Sequence, residues 1–244
     1  MSGTYYTRRL ADDVYRASRE RRAELIYAMC REWLENAGQV VDLGAGTGLI
    51  RRALENRARR PIIGFEIDRT FIEDTKRMAV ADLECLPVRG GAIDFGIANH
   101  VYEHVANLDR FFAELRRALA PGGCVYLTAG NKYALVEPHY RIPTLSWWPG
   151  PVATRLLKWS GRGERYDDIR FTTHRRLVAA AGQHGLTLED LTDSVLSTQL
   201  GRYESRAGRL AARMARTLPA GIRRRLLERL SSQWFFLVRH AEEG

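Results

Sequence analysis

The segment Asp42-Leu43-Gly44-Ala45-Gly46-Thr47-Gly48 places an acidic residue just before three closely spaced glycines. Glycines let a ligand approach the backbone, and the free N–H groups at the start of the following helix attract polar groups. The third glycine comes one residue earlier than in the dinucleotide-binding pattern GxGxxG. An acid before the turn can face a cationic group. The segment therefore predicts a site for a ligand that carries an amine and a sulfonium rather than a pyrophosphate.

Two further acids follow at the ends of the next two predicted strands. The carboxylate of Glu66, eighteen residues after Gly48, offers two oxygens in one plane, which matches a vicinal diol. Asp82 can accept a hydrogen bond from the exocyclic amine of adenine, with Leu83 and Ile67 covering the two faces of the ring. Each acid alone could instead be a helix cap or a surface charge. Three acids at successive strand ends predict one ligand crevice.

Three histidines are the candidate proton acceptors, because imidazole is the side chain that acts as a base near neutral pH. His100 and His104 follow the fourth predicted strand, and His139 lies in the run Glu137-Pro138-His139-Tyr140. Each has a second interpretation. His100 and His104 could only orient their neighbours, and His139 could be a solvated residue of a turn.

A metal site is the alternative for part of this group. His100, Glu103 and His104 have the spacing i, i+3, i+4, so one turn of helix would place them on one face. Two imidazoles and a carboxylate can bind a divalent ion. Because most such clusters are hydrogen-bonded structure, we predict no metal here.

The elements that must position these residues alternate between strands and helices. The first predicted helix carries Leu25, Ile26, Met29, Trp33 and Leu34 on one face and stops before Gly38. Strands are predicted at 39–42, 62–66, 93–98, 124–129 and 186–191, and helices at 49–54, 69–78, 108–119 and 175–184. A last strand at 234–239 is predicted to be antiparallel and next to its predecessor. This alternation predicts a doubly wound α/β fold with a mostly parallel sheet, in one domain over residues 1–244.

Residues 131–173 interrupt the alternation and are predicted to be an inserted substrate lid. Six aromatic side chains occur in this lid: Tyr133, Tyr140, Trp147, Trp148, Trp159 and Tyr166. The three tryptophans could form an apolar pocket for an acceptor, or they could be the core of the loop itself.

Residues 194–232 are predicted to be a basic helical insertion before the last strand. Between positions 202 and 229 nine arginines stand against two glutamates, so the rest of the chain carries only about +2 of the formal charge of +9. Three interpretations are open: helices packed on the domain with a solvated basic face, contact of residues 202–230 with an anionic membrane, or contact with RNA.

Composition sets the remaining limits. The three cysteines (Cys30, Cys85 and Cys124) lie far apart, which argues against a disulfide scaffold and against a structural zinc site. No apolar run reaches the ~18 residues of a membrane span, and the first residues contain no stretch typical of a signal peptide. We therefore expect a cytoplasmic protein. Basic residues confined to one segment are not typical of a general nucleic-acid-binding protein.

These motifs resemble those of the class I S-adenosylmethionine-dependent methyltransferases, most of all the broad small-molecule group that includes the ubiquinone and menaquinone biosynthesis enzymes. The matching runs are VVDLGAGTG (40–48), GFEID (64–68), ADLECLP (81–87), AIDFGIANHVYEHV (92–105) and ELRRALAPGGCVYLTAGN (114–131). The resemblance implies a Rossmann-like fold with a seven-stranded sheet, and S-adenosylmethionine as the cofactor. The cofactor site that it implies consists of Asp42, Gly44, Ala45, Gly46, Gly48, Glu66, Ile67, Asp82, Leu83 and Asn99.

The motifs and the resemblance together predict methyl transfer to a hydroxyl of a small, partly apolar acceptor, such as a natural product, a quinone or a lipid-linked compound. The lid aromatics suggest the apolar acceptor, and the histidines suggest the hydroxyl. The alternative is methylation of RNA or protein through the basic helices. Against it, the run after the fourth strand is Asn99-His100-Val101-Tyr102, not the Asn/Asp-Pro-Pro-aromatic motif of many amine-methylating enzymes. A non-catalytic partner protein would leave the glycine turn and the three acids without a role.

Overall fold

The computed structural model describes residues 13–166, 169–199 and 217–242. This part of the chain contains seven strands and seven α-helices. The strands are β1 (Val40–Leu43), β2 (Ile63–Glu66), β3 (Met78–Val80), β4 (Ile93–Asn99), β5 (Leu119–Gly130), β6 (Leu186–Asp190) and β7 (Gln233–His240). The helices are α1 (Asp13–Asn36), α2 (Leu49–Ala58), α3 (Leu108–Ala118), α4 (Gly150–Trp159), α5 (His174–Gln183), α6 (Thr192–Gln199) and α7 (Ala220–Leu230). Short 3₁₀ helices cover Arg69–Phe71, Tyr102–His104 and Leu145–Trp147.

The seven strands form one sheet in the order β3-β2-β1-β4-β5-β7-β6. β1 pairs in parallel with β2 and β4, and β2 pairs in parallel with β3. Two contacts show that β7 runs antiparallel to β5, because each joins the end of one strand to the start of the other. The N–H of Asn131 donates to the carbonyl of Ser232, and His240 Nε2 lies 3.3 Å from the carbonyl oxygen of Leu119. The predicted doubly wound, mostly parallel Rossmann-like fold is confirmed, and β7 lies beside β6 as expected.

The chain forms two compact units, and neither is a contiguous stretch of sequence. Of the described residues, 13–99, 109–126 and 239–242 belong to the first unit, and 100–108, 127–166, 169–199 and 217–238 belong to the second. The single domain over residues 1–244 stays a prediction. Within the described part of the chain, no helix is both long enough and apolar enough to cross a membrane.

α1 contributes to the core of the first unit. Its second half is the amphipathic helix that the sequence predicts. Leu25, Ile26 and Leu34 are buried, and the ring of Trp33 stacks on Phe95 of β4 with 6.2 Å between centroids. The helix ends at Asn36, just before the predicted stop at Gly38. The apolar stripe therefore anchors α1 to α2 and to the sheet, and fixes where β1 begins.

The predicted helix over residues 69–78 is wrong. The chain makes one 3₁₀ turn, capped by the carboxylate of Asp68, and then forms a tight turn at Asp74 that leads into β3. The carboxylate of Asp74 accepts from the guanidinium of Arg51 on α2 at 2.7 Å. This ion pair holds the segment against α2 and leaves residues 78–80 free to join the sheet.

Two other elements differ from the predicted pattern. β5 begins five residues before the predicted start and includes Gly122, whose φ of +77° only glycine adopts without strain. α4 lies in the predicted lid, where the sequence analysis predicts no helix. Pro151 occupies its first turn, where the missing N–H of proline removes no helix hydrogen bond. α6 begins two residues before the helical insertion that is predicted over residues 194–232. Of the predicted basic insertion at 194–232, residues 200–216 lie outside the described residues.

Within the second unit, the lid (residues 131–173) has a small core of its own, which we call the lid core. It consists of Leu145, Ala153, Leu157 and Tyr166, with Tyr140, Ile142, Leu156 and Ile169 packed against it. The inner face of α4 forms part of this core. The lid is therefore a packed substructure rather than an extended loop.

Candidate functional site

The glycine turn (residues 44–48) joins β1 to α2 in the first unit. Gly44, Gly46 and Gly48 have φ values of +70°, +54° and +71°, in the left-handed region that costs other residues roughly 1–2 kcal/mol. A Cβ built on Gly46 would meet no heavy atom within 4 Å. The turn therefore presents bare backbone to open space, as a site for a closely bound ligand requires.

Asp42 lies in β1, one residue before the end of that strand, and its side chain is buried. Burial raises the pKa of Asp42 to about 7, since a carboxylate loses its hydration there. The positive charge of Arg51 opposes this rise, and the negative charge of Glu66 adds to it. A further cation beside this buried acid would favour its charged form. The amine or sulfonium that the sequence predicts would supply one.

Glu66 ends β2 and holds the glycine turn in place. Its Oε2 accepts from the N–H of Gly46 at 2.7 Å, and its Oε1 accepts from the N–H of Asp68 at 3.0 Å. Each carboxylate oxygen has a second lone pair. Glu66 can therefore support the turn and still accept from the two hydroxyls of a ribose.

The remaining cofactor candidates follow the ends of neighbouring strands. Leu43 is paired with Phe65 of β2 and with Ala98 of β4, and Glu66 is paired with Val80 of β3, so the strands end at one edge of the sheet. The residues that this register brings to the same edge are Asp42, Glu66, Ile67, Asp82, Leu83 and Asn99. Ile67 is exposed and Leu83 is buried, while Asp82 accepts from the N–H of Glu84 in a turn. The strand order thus brings these candidates to one edge of the sheet, and the ligand crevice that the acids predict stays a prediction.

The second unit brings the three candidate bases together, although they are far apart in sequence. The ring centroid of His139 lies 6.2 Å from that of His100 and 5.7 Å from that of His104, and both contacts are edge-to-face. We call this group the histidine cluster (His100, His104 and His139). Phe171 packs against His139 at 5.7 Å.

Both ring nitrogens of His100 are engaged. Nδ1 lies 2.8 Å from Oε1 of Glu103, and Nε2 lies 2.8 Å from Oε1 of Gln233. Burial opposes the ionisation of Glu103, but the hydrogen bond and the charge of His100 outweigh it and hold the pKa of Glu103 below its usual value. The backbone of His100 has a φ of +57°, which is rare for a residue other than glycine. This histidine is fixed in position on both sides.

His139 is held by a turn that buries a carboxylate. The turn spans residues 137–142 and is closed by hydrogen bonds from the N–H of Glu137 to the carbonyl of Ile142 and from the N–H of Arg141 to the carbonyl of Glu137. Oε1 of Glu137 lies 2.8 Å from Nδ1 of His139, and Oε2 accepts from the N–H of Tyr140. His139 thus lies in a turn and is partly exposed, and a fully buried glutamate orients its ring.

Sequence reasoning missed three partners of this cluster. Glu137 stands two residues before His139, a spacing that no helix pattern detects. Gln233 and Phe171 come from distant parts of the chain, and only the fold brings them to His100 and His139.

The metal alternative does not have the predicted geometry. His100 lies outside the 3₁₀ turn Tyr102–His104, so His100, Glu103 and His104 do not share a helical face. In the described part of the chain, the donor atoms that converge to within 4.8 Å of one another belong to His174, Asp190 and Glu228. Nε2 of His174 lies 3.0 Å from Oδ2 of Asp190, which ties the start of α5 to the end of β6.

The lid tryptophans do not form the core of the lid. Trp147, Trp148 and Trp159 are exposed, whereas Tyr140 and Tyr166 pack in or against the lid core. Trp147 donates from its indole N–H to the carbonyl of Ala134 at 2.8 Å, and its ring packs edge-to-face on that of Tyr133. The outer surface of the lid is therefore unusually rich in indole rings.

Parts of the chain are similar in sequence to known methyltransferases. Residues 41–127 match the family model described as a methyltransferase domain. The chain is 34% identical over 122 residues to the malonyl-[acyl-carrier protein] O-methyltransferase of Geobacter sulfurreducens. This match covers 46% of this chain and 45% of that protein. It is 27% identical over 173 residues to the dimethylglycine N-methyltransferase of Parasynechococcus marenigrum, covering 59% and 62% of the two chains. The matches thus span about half the length of these curated relatives.

Solved structures share the fold at low identity. An S-adenosylmethionine-dependent methyltransferase from Mesorhizobium loti superposes with a TM-score of 0.54 at 17% identity, covering 88% of this chain and 98% of that one. The [4+2]-cyclase SpnF superposes with a TM-score of 0.55 at 16% identity, covering 91% and 81%. These likenesses support the fold class and leave the reaction to be argued from the site.

Proposed function

We propose that this chain, whose residues 41–127 match a methyltransferase domain, uses S-adenosylmethionine to transfer a methyl group to a hydroxyl of a small, partly apolar acceptor. The observation that carries the choice of a hydroxyl is the histidine oriented by a buried glutamate, His139 with Glu137. A hydroxyl, unlike a thioether or a free amine, must lose a proton as it is methylated. Natural products, quinones and lipid-linked compounds are acceptor classes with such hydroxyls.

The first unit supplies the residues that suit the cofactor. Asp42 offers a buried negative charge for a cationic group, and Glu66 offers two carboxylate oxygens for the ribose hydroxyls. Asp82 can accept from the adenine amine, with Leu83, Ile67 and Asn99 nearby at the same sheet edge. When bound, S-adenosylmethionine supplies a methyl carbon whose bond to sulfur breaks, with the electron pair leaving on sulfur.

The second unit supplies the base. In this proposal the carboxylate of Glu137 accepts a hydrogen bond from the Nδ1–H of His139, which leaves the lone pair of that ring on Nε2. We assign to this lone pair the role of taking the proton that the acceptor hydroxyl must lose. His100 has both nitrogens engaged by Glu103 and Gln233, so we assign it a positioning role. His104 packs edge-on against His139 and helps to fix that ring.

Calorimetry with S-adenosylhomocysteine tests the cofactor assignment first, and absence of binding would overturn the proposal at its base. Purified protein, S-adenosylmethionine with a labelled methyl group and an extract of the source cells test the reaction. We expect label in an organic-extractable fraction, and its loss in His139→Gln but not in His184→Gln, a histidine outside the cluster. Label that enters RNA or protein instead would contradict the assignment of a small acceptor.

That second outcome would favour the alternative in which the basic C-terminal segment holds a macromolecular substrate. Arg224, Arg225 and Arg229 are exposed on α7, while Arg223 is paired with Asp193 at 2.7 Å. The same cations make contact of residues 202–230 with an anionic membrane a further proposal. We propose a cytoplasmic location, because Cys30, Cys85 and Cys124 lie too far apart in the sequence to suggest a disulfide scaffold.

A further inference from the structure

A stretch of the lid contains no acidic residue. Between Glu137 and Glu164, residues 138–163 include four cations, Arg141, Arg155, Lys158 and Arg162, and the three lid tryptophans. Acidic residues are otherwise as common in this chain as in an ordinary globular protein, with 29 in 244 residues. The local charge is therefore wholly positive where the indole rings are concentrated.

α4 presents this composition on one fixed face. Its inner residues Ala153 and Leu157 are buried in the lid core. Its outer residues Val152, Arg155 and Trp159 follow at spacings of three and four, so they lie on one side of the helix. Since the lid core holds the inner side, the outer side is turned away from the lid core.

The outer side of α4 and the residues just before this helix carry more exposed apolar side chains than is usual for a free surface. Trp159 is 89% exposed, Trp148 is 50% exposed and Val152 is 37% exposed. Of the twelve large hydrophobic side chains that are exposed among the described residues, seven belong to residues 131–173. We call this group of exposed side chains in and just before α4 the lid face: Trp147, Trp148, Val152, Arg155, Lys158 and Trp159.

We propose that the lid face lies on the surface of an anionic phospholipid membrane. Indole rings partition to the level of the lipid headgroups, where they can be both apolar and hydrogen-bonded, and arginine and lysine beside them meet lipid phosphates. A second copy of this chain or a protein partner of ordinary composition would offer acids and cations alike, whereas the lid face offers only cations. The match of charge therefore selects a membrane. This proposal does not depend on the reaction.

The test uses the full chain and vesicles of phosphatidylcholine with about 30% phosphatidylglycerol, with pure phosphatidylcholine as the reference. We expect sedimentation with the anionic vesicles at about 0.1 M salt and release at about 0.5 M salt. Trp159→Ser should weaken binding about tenfold, and Arg155→Gln or Lys158→Gln about fivefold each. Lipids brominated near the headgroup should quench the tryptophan fluorescence of the protein, and Trp159→Phe should lose part of that quenching.

A matched pair of variants separates the lid face from the rest of the surface. Val152 on α4 and Val178 on α5 are both 37% exposed, and each lies on a helix of ten residues. Val152→Glu should release the protein from vesicles, and Val178→Glu should bind as the native chain does. Equal binding of the two variants would overturn the proposal. Vesicle binding that is abolished by Arg225→Glu on α7 and left intact by Val152→Glu would overturn it as well. A sedimentation coefficient that falls in Trp159→Ser without vesicles would also overturn it, since a second copy would then cover this face.

Discussion

Nδ1 of His139 lies 2.8 Å from Oε1 of Glu137, a carboxylate with no exposed surface. The other carboxylate oxygen accepts from the N–H of Tyr140, so both oxygens of Glu137 are committed inside one turn. An imidazole that donates from Nδ1 keeps its lone pair on Nε2. Glu137 therefore determines which nitrogen of His139 can take a proton.

The first prediction follows from this pair. Glu137→Gln lets an amide donate to Nδ1, which favours the wrong tautomer, and we expect methyl transfer to fall about a hundredfold or more while binding of S-adenosylhomocysteine is unchanged. Correlation of ring protons with ring nitrogens by NMR should show the tautomer of His139 change. Glu164→Gln, at an exposed position that follows the acid-free stretch of the same lid, is the control. An unchanged tautomer in Glu137→Gln would refute the assignment.

The second prediction concerns Asp42. Because its pKa is raised to about 7 in the folded protein, the folded state holds a proton that the unfolded chain releases near pH 4. The free energy of unfolding without cofactor should therefore fall as the pH rises from about 4 to about 7. Affinity for the cationic cofactor should rise over pH 6 to 7.5, by up to about tenfold per unit below the pKa. Both pH dependences should shrink in Asp42→Asn, measured by denaturant titration and calorimetry.

The third prediction compares two glycines. Gly46 and Gly122 both have positive φ, of +54° and +77°, and a Cβ on either would meet no atom within 4 Å. Gly46→Ala and Gly122→Ala should thus lose a similar amount of stability, about 1 kcal/mol. Only Gly46→Ala should also lose cofactor binding, because its methyl group would stand where the ligand approaches the backbone. Equal calorimetric affinities for the two variants would exclude the glycine turn as the cofactor site.

The fourth prediction concerns the fully buried guanidinium of Arg51. It contacts Glu55 and Asp74 at 2.7 Å each and the carbonyl of Ile62 at 3.2 Å. Arg51→Met leaves two acids without their cation, and since both acids are partly exposed we expect a loss of about 2–4 kcal/mol. Arg52→Met, at the neighbouring half-exposed position, should cost less than about 1 kcal/mol. Urea unfolding of the two variants measures the difference, and equal midpoints would contradict the proposed role of the ion pairs.

The parts of the fold that the sequence predicts are those with local causes. α1, β1, α2, β2 and β4 follow from hydrophobic periodicity and from glycine, which act within a few residues. The helix predicted over residues 69–78 failed because the ion pair between Arg51 and Asp74 joins residues 23 positions apart. Such a contact leaves no periodic trace, although it decides whether the segment winds or extends.

The candidate site likewise has one part that the order of elements predicts and one part that depends on long-range packing. The candidate cofactor residues follow strands one after another, so the order of elements alone brings them to one edge. The histidine cluster needs the turn at residues 137–142 to bring His139 beside His104, and the partner Gln233 stands 133 positions after His100. The residue types suggest the candidate bases. Only the packing shows that His139 pairs through Nδ1 with Glu137, and that both ring nitrogens of His100 have partners.

Glu103 has a consequence for how this chain could be altered. It is fully buried, and within the described residues its Oε2 has no hydrogen-bond partner. A buried acceptor left unsatisfied costs roughly 1–3 kcal/mol, but methionine at this position would leave Nδ1 of His100 without its partner at a similar cost. Selection for stability alone would therefore favour replacing Glu103 and His100 together by apolar side chains. An effort to make this protein more heat-resistant would meet a conflict with activity at this pair.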